Sequence, residues 1–228
     1  MSGFFAELHR MLDRFLTPAA KLILIINVIV CLVMIILSIN PTAIAGALLL
    51  LGQTPALSVM RGCVWQFVTY AFVHMEPFHL LFNMLILWFF APALENRWGT
   101  RTFWSFYLTV AIGAALFHAL FTLVLRIGES HVPVIGASGV MYGIMLAFAA
   151  YQPEQPVMLW FVFPIKIKYL VIILGLFNFM MSASPVMSAT SNVSYLTHLT
   201  GLGVAYLWMA RHHRDWDIRR WRWTRGWR

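Results

Sequence analysis

Apolar runs constrain this chain more than any other feature. Residues 21–39, 77–96 and 101–125 hold Lys21, Glu95 and Arg101 as their only Asp, Glu, Lys or Arg residues apart from the run-out into the flanking turns. Crossing a hydrocarbon core of roughly 30 Å takes about 20 such residues in a helix. Backbone inside lipid must satisfy its own hydrogen bonds, so an apolar run of that length folds as a helix. Three further apolar segments, 138–151, 169–184 and 193–210, bring the expectation to six spans. Over all 228 residues, 61% are hydrophobic and the mean hydropathy is +0.78, whereas soluble domains are about half apolar. The expected fold class is all-α: a polytopic membrane protein with a six-transmembrane-helix bundle.

The connections are informative. Residues 3–17 set Phe4, Phe5, Leu8, Met11, Leu12, Phe15 and Leu16 at helical spacing opposite Glu7, Arg10, Asp13 and Arg14. That pattern predicts an interfacial amphipathic helix in a segment 1–20. The first span outlasts a usual signal core and is read as an uncleaved helix. The long connection 40–76 contains Ala43–Leu51, too short to span and expected to be interfacial or re-entrant. Residues 152–168 are expected to lie along the interface. The net charge of +8 does not point to nucleic acid. Much of it lies in a tail, 211–228, where seven arginines alternate with Trp216, Trp221, Trp223 and Trp227, a mixture suited to an anionic membrane surface. With the N-terminus inside, fourteen of the 16 Lys and Arg residues fall on inner segments and only Arg61 and Arg126 on outer ones. The positive-inside rule then puts both termini in the cytoplasm. Two cysteines, Cys31 in a span and Cys63 in a loop, exclude a disulfide framework.

Polar side chains inside a membrane are costly and usually functional, so their depths matter. Ser138 lies 14 residues before Gln152, His198 lies 13 before Arg211, and Asn83 lies 14 before Arg97. At about 1.5 Å per residue, all three sit roughly 20 Å above the inner surface. His79 is one turn higher. Serine is a weak nucleophile that needs an adjacent base, and His198 is suited to take its proton and pass it to a leaving amine. No Asp or Glu shares that depth in spans four or six, which favours a dyad over a triad. Ser138 opens a helix, so its N–H, the Asn83 amide and the His79 imidazole form a candidate oxyanion hole. Tyr142, one turn after Ser138, is expected to pack on His198.

Gly139 with Gly143, and Gly201 with Ala205, make small-xxx-small pairs that let two helices approach closely. Gly136-Ala137-Ser138-Gly139 is not the Gly-x-Ser-x-Gly elbow of α/β-hydrolases, and no strand is expected beside it.

These motifs together resemble the rhomboid family of intramembrane serine proteases. The matching residues are Gly136-Ala137-Ser138-Gly139 with Tyr142, His198-Leu199-Thr200-Gly201, His74 to Asn83, and Glu95-Asn96-Arg97-Trp98-Gly99. The resemblance covers roughly 21–210. It implies six helices around a water-filled cavity open to the outside, and cleavage of single-span or polytopic membrane-protein substrates. It implies no metal, cofactor or nucleic acid, and membrane lipids as surroundings. Ser138 carries over as nucleophile, His198 as base, His79 and Asn83 as oxyanion donors, with Gly136, Gly139, Gly201 and Tyr142 in support. Two positions depart from the family pattern. Trp65-Gln66 stands where Trp-Arg is frequent, and Ala205 where glycine is frequent. A compact form without an appended domain points to a prokaryotic inner membrane.

Each residue also has a plainer reading. Ser138 alone is a helix cap or packing residue, His198 a satisfied polar group or a transporter's proton relay, and Asn83 interhelical glue. His74 and His118 read as structural. A catalytically inactive rhomboid-like binding or quality-control factor is the alternative function. A small transporter is a third, without the inverted repeat such folds show. Substrate identity and oligomeric state are not encoded in these patterns.

Overall fold

The computed structural model describes residues 7, 13–124, 126, 130–159, 162–182 and 189–212. Most of the expected amphipathic segment 3–17 and of the tail 211–228 lies outside the described residues. In chain order the elements are α1 (Pro18–Leu37), α2 (Pro41–Leu51), α3 (Pro55–Ser58), α4 (Gln66–Thr69), a 3-10 turn (Tyr70–Phe72), α5 (Pro77–Trp98), α6 (Thr100–Leu123), α7 (Ser138–Tyr151), β1 (Pro156–Leu159), β2 (Phe163–Lys166), α8 (Ile167–Ser182) and α9 (Ala189–His212). Each expected span is occupied by a helix: α1, α5, α6, α7, α8 and α9. Among the described residues, α1, α5 and α6 are long and apolar enough to cross a membrane. α7 and α8 are shorter apolar helices.

Local chemistry sets these boundaries. Pro18, Pro41, Pro55 and Pro77 each open a helix, where proline's fixed φ fits and its missing N–H costs nothing. The Asn40 side chain caps α2 by accepting from the N–H groups of Thr42 at 3.0 Å and Ala43 at 3.3 Å. Gly99, at φ +81°, turns the chain directly from α5 into α6.

α7 is the central helix. Val140, Met141, Ile144, Ala147 and Ala149 are fully buried, enclosed by α5, α6, α8 and α9. The outside of the bundle is apolar as well. Leu22, Ile29, Leu32 and Ile36 of α1, and Ile173, Leu176, Phe179 and Met180 of α8, are exposed. In water so much contiguous apolar surface would be anomalous; in lipid it is the solvated face.

A single carboxylate fastens three helices. Glu95 of α5, 2% exposed, accepts from the Thr17 hydroxyl, from Ala19 N–H at 2.9 Å, from Ala20 N–H at 3.1 Å and from the Thr100 hydroxyl at 2.7 Å. It thereby fills the unsatisfied donors at the start of α1 and complements the positive end of that helix dipole.

The all-α expectation needs one correction. Pro156–Leu159 and Phe163–Lys166 pair as a two-stranded antiparallel hairpin, with Pro156 opposite Lys166 and Leu159 opposite Phe163. α7 ends at Tyr151 and α8 starts at Ile167, and Glu154 pins the hairpin ends by pairing with Lys166 at 2.7 Å and with Lys168. The hydrogen bonds from Lys166 and Lys168 hold the Glu154 carboxyl below its ordinary range.

Candidate active site

Two helices meet where neither has a side chain in the way. A Cβ added to Gly201 of α9 would lie 2.8 Å from the Gly139 carbonyl carbon of α7 and 3.0 Å from its Cα. Carbon atoms in ordinary contact stay about 3.5–4.0 Å apart, so only glycine permits this crossing. One turn on, Gly143 faces the buried Ala205, whose Cβ would stand 3.0 Å from any Cβ at Gly143. Alanine at 205 therefore packs against the space that Gly143 leaves, and the departure from the family pattern is accommodated.

This close crossing brings Ser138 Oγ within 2.7 Å of His198 Nε2. The Tyr142 ring stacks on the imidazole, with centroids 4.7 Å apart and planes 13° from parallel. The stacking leaves the ring one plane in which to turn toward Ser138.

The approach to Ser138 is built from loop backbone. Gly136 N–H donates to Tyr70 O at 2.9 Å and Ala137 N–H to His74 Nε2 at 3.3 Å. Ser138 then begins α7, where the first N–H groups of a helix lack intrahelical acceptors. Gly136 adopts φ +110° and sits under His79: a Cβ there would come within 2.6 Å of the His79 ring. Both its conformation and that contact require glycine.

His79 and His74 meet edge to face, with centroids 4.9 Å apart. Asn83, 3% exposed, spends both amide hydrogens: one on His79 O at 2.8 Å and one on His74 Nε2 at 3.2 Å. The structure thus gathers His74, His79, Asn83 and the 136–138 backbone into one cluster. It does not leave an Asn83 donor idle.

Asn178 escapes the sequence reading altogether. It lies on α8, 1% exposed, with Oδ1 2.8 Å from His198 Nδ1. The signal was available: an amide in an apolar span, ten residues from Lys168, or about 15 Å. Counting depth along the fifth span as along the second, fourth and sixth brings it into view.

The connection between α1 and α5 is anchored where Gln66 stands. Gln66 is fully buried, donates to Leu49 O at 2.5 Å and accepts from Thr54 N–H at 3.2 Å. Trp65 Nε1 donates to Leu50 O at 2.8 Å. His118 of α6 hydrogen-bonds Gln53, whose backbone pairs with Val134 just ahead of Gly136. Gln66 therefore supplies an anchor of its own, with one donor and one acceptor.

Fold and site together define a helical membrane protein whose serine hydroxyl and imidazole meet across two touching helices. The chain belongs to the rhomboid family: the model of the rhomboid domain matches residues 61–214. That match begins after α1 and α2, later than the 21–210 of the resemblance. The chain is similar to rhomboid protein 1, mitochondrial, of Saccharomyces cerevisiae, at 33% identity over 60% of this chain and 39% of that protein. It is similar to RHOMBOID-like protein 12, mitochondrial, of Arabidopsis thaliana, at 29% identity over 66% of this chain and 47% of that one. It is 35% identical to rhomboid protease GlpG of Yersinia enterocolitica over 36% of this chain and 27% of that protein. The chain thus spans less than half the length of these relatives. They come from mitochondria and a bacterium alike, so they lend the expected prokaryotic inner membrane no particular support.

Proposed function

We propose that this protein is an intramembrane serine endopeptidase that cleaves transmembrane segments of other membrane proteins. The observation that carries the reading is the 2.7 Å approach of Ser138 Oγ to His198 Nε2. Ser138 is the nucleophile. His198 takes the hydroxyl proton as Oγ attacks the substrate carbonyl carbon, then returns it to the leaving amine nitrogen. Water releases the acyl group by the same path in reverse. The developing oxyanion is held by Ser138 N–H, the His79 imidazole and Asn83, which exchanges its bond to His74 for the one to substrate. Losing one such donor costs about 3 kcal/mol of barrier.

The six spans are α1, α5, α6, α7, α8 and α9, with 21–210 as the protease domain and both termini on the cytoplasmic side. α7 has 14 residues, about 21 Å of helix, and a bilayer core is about 30 Å. Ser138 then lies roughly 10 Å below the outer surface, reached by water from that side. Substrates are single-span or polytopic proteins whose helices weaken near that depth, because a regular helix hides its amides from attack.

The test is cleavage of a single-span protein by the purified chain in liposomes, beside Ser138→Ala and His198→Ala. Both variants should lose cleavage. Undiminished cleavage by either would remove the dyad. A wild-type chain that binds such helices and never cuts them would instead make it a rhomboid-like binding protein.

A further inference from the structure

The Asn178 amide has one arrangement that satisfies its surroundings. Nδ2 faces Leu174 O at 2.7 Å and Tyr142 OH at 3.0 Å, while Oδ1 faces His198 Nδ1 at 2.8 Å. Rotating the amide by half a turn would set its oxygen against the Leu174 carbonyl oxygen, two acceptors with no proton between them. Oδ1 must therefore point at the imidazole. An amide oxygen only accepts, so Nδ1 carries the proton and Nε2 is left with its lone pair toward the Ser138 hydroxyl.

From this we infer that Asn178 is a positioning residue for the proton transfer, selecting the His198 tautomer and holding it as the proton arrives. The inference rests on the proposed protease reading and deepens it. The site then has four contributing helices: α5 supplies His79 and Asn83, α7 supplies Ser138, α9 supplies His198 and α8 supplies the group behind His198. As Oγ–H gives its proton to Nε2, the imidazole becomes doubly protonated. Nδ1–H stays on the ring, and its bond to Asn178 Oδ1 becomes charge-assisted and stronger. The proton on Nε2 then leaves with the amine. The choice of an amide over a carboxylate has a physical reason. An ionised carboxylate at that depth is costly in a membrane, whereas an amide oxygen orients the ring without a buried charge. Tyr142 joins the same arrangement twice, stacking on the imidazole and accepting from Asn178 Nδ2.

The full-length protein in detergent micelles, labelled with a fluorescent fluorophosphonate across a range of pH, tests this. Oγ forms a bond to phosphorus and fluoride leaves, so the rate reads activation of the serine without a protein substrate. Labelling of the wild type and none of Ser138→Ala establishes the underlying reading. Asn178→Ala should then label about tenfold more slowly, the worth of one positioned hydrogen bond to a charged group. Asn178→Asp keeps the acceptor but loses both donors. It should recover most of the rate, with the acidic limb of its profile displaced to higher pH, because a carboxylate favours the imidazolium. A purely structural Asn178 would fail equally as Ala and as Asp, since both lose the bonds to Leu174 O and Tyr142. That result, or wild-type labelling by Asn178→Ala, overturns the inference while the protease reading stands. Absence of wild-type labelling overturns both.

Discussion

Replacing Gly201 by alanine should separate catalysis from folding more cleanly than removing a reacting group. The added Cβ meets Gly139 carbonyl carbon at 2.8 Å and its Cα at 3.0 Å. Both are backbone atoms at the start of α7 and have no rotamer to retreat into. Restoring ordinary contact, about 3.5–4.0 Å, parts the helices by about 1 Å. The Ser138–His198 approach of 2.7 Å would open to about 3.7 Å, beyond hydrogen-bond reach. Misplacement by 1 Å costs a reaction about 100-fold, so kcat should fall by about two orders of magnitude. Overpacking costs about 1–3 kcal/mol, offset by about 1 kcal/mol from the better helix propensity of alanine, so the protein should remain folded. Gly203, two residues on, is the control, since a Cβ there meets nothing within 4 Å. Gly203→Ala should keep the wild-type rate and be no less stable. The assay is initial-rate cleavage of a single-span substrate in liposomes, with thermal unfolding in detergent for each variant. Wild-type kcat in Gly201→Ala, or equal losses in both variants, would refute the account of why these helices need glycine.

Three further outcomes follow from other parts of the structure. Asn83→Ala should lower kcat by about 100-fold while KM changes little, because an oxyanion contact strengthens only in the transition state; steady-state kinetics showing a pure KM effect would assign Asn83 to binding. Glu95→Ala should lower thermal stability by about 3 kcal/mol, since Ala19 and Ala20 N–H lose a charged partner and stay buried; thermal unfolding with an unchanged midpoint would contradict it. Glu154, whose folded carboxyl is held below its ordinary range, stabilises the hairpin above the unfolded carboxylate range and ceases to do so as pH falls through its lowered value. Amide exchange in the strands Pro156–Leu159 and Phe163–Lys166 should therefore quicken, beyond its intrinsic pH dependence, on acidification in the wild type and show no such step in Glu154→Gln.

The long helices are legible in the sequence because hydrocarbon leaves a polar backbone no alternative. Runs such as 101–125 announce themselves by composition alone. The meeting of Ser138 and His198 was legible too, by counting residues back from the polar inner ends of two spans that run in the same direction to a shared depth. Asn178 was missed because the same count stopped short of the fifth span. The hairpin was missed because its strands, Pro156–Leu159 and Phe163–Lys166, are four residues each and have no apolar–polar alternation to set them apart in a chain this apolar. How Gln66 anchors its loop could not be read at all. Its partners are the Leu49 carbonyl and the Thr54 N–H, and backbone groups leave no mark in a sequence.

Glu95 reads α1 by its first residues alone: a threonine hydroxyl and two main-chain N–H groups. Main-chain donors are the same whatever side chain follows them, so the dock recognises where a helix begins and is largely indifferent to what the rest of it displays. α1 lies outside the residues matched to the rhomboid domain and turns many of its apolar residues outward. It behaves as a plug-in part with a standard connector. Substitutions along its lipid-facing side, from Leu22 to Ile36, can drift with the thickness and composition of the membrane without disturbing the joint that holds the helix to the domain.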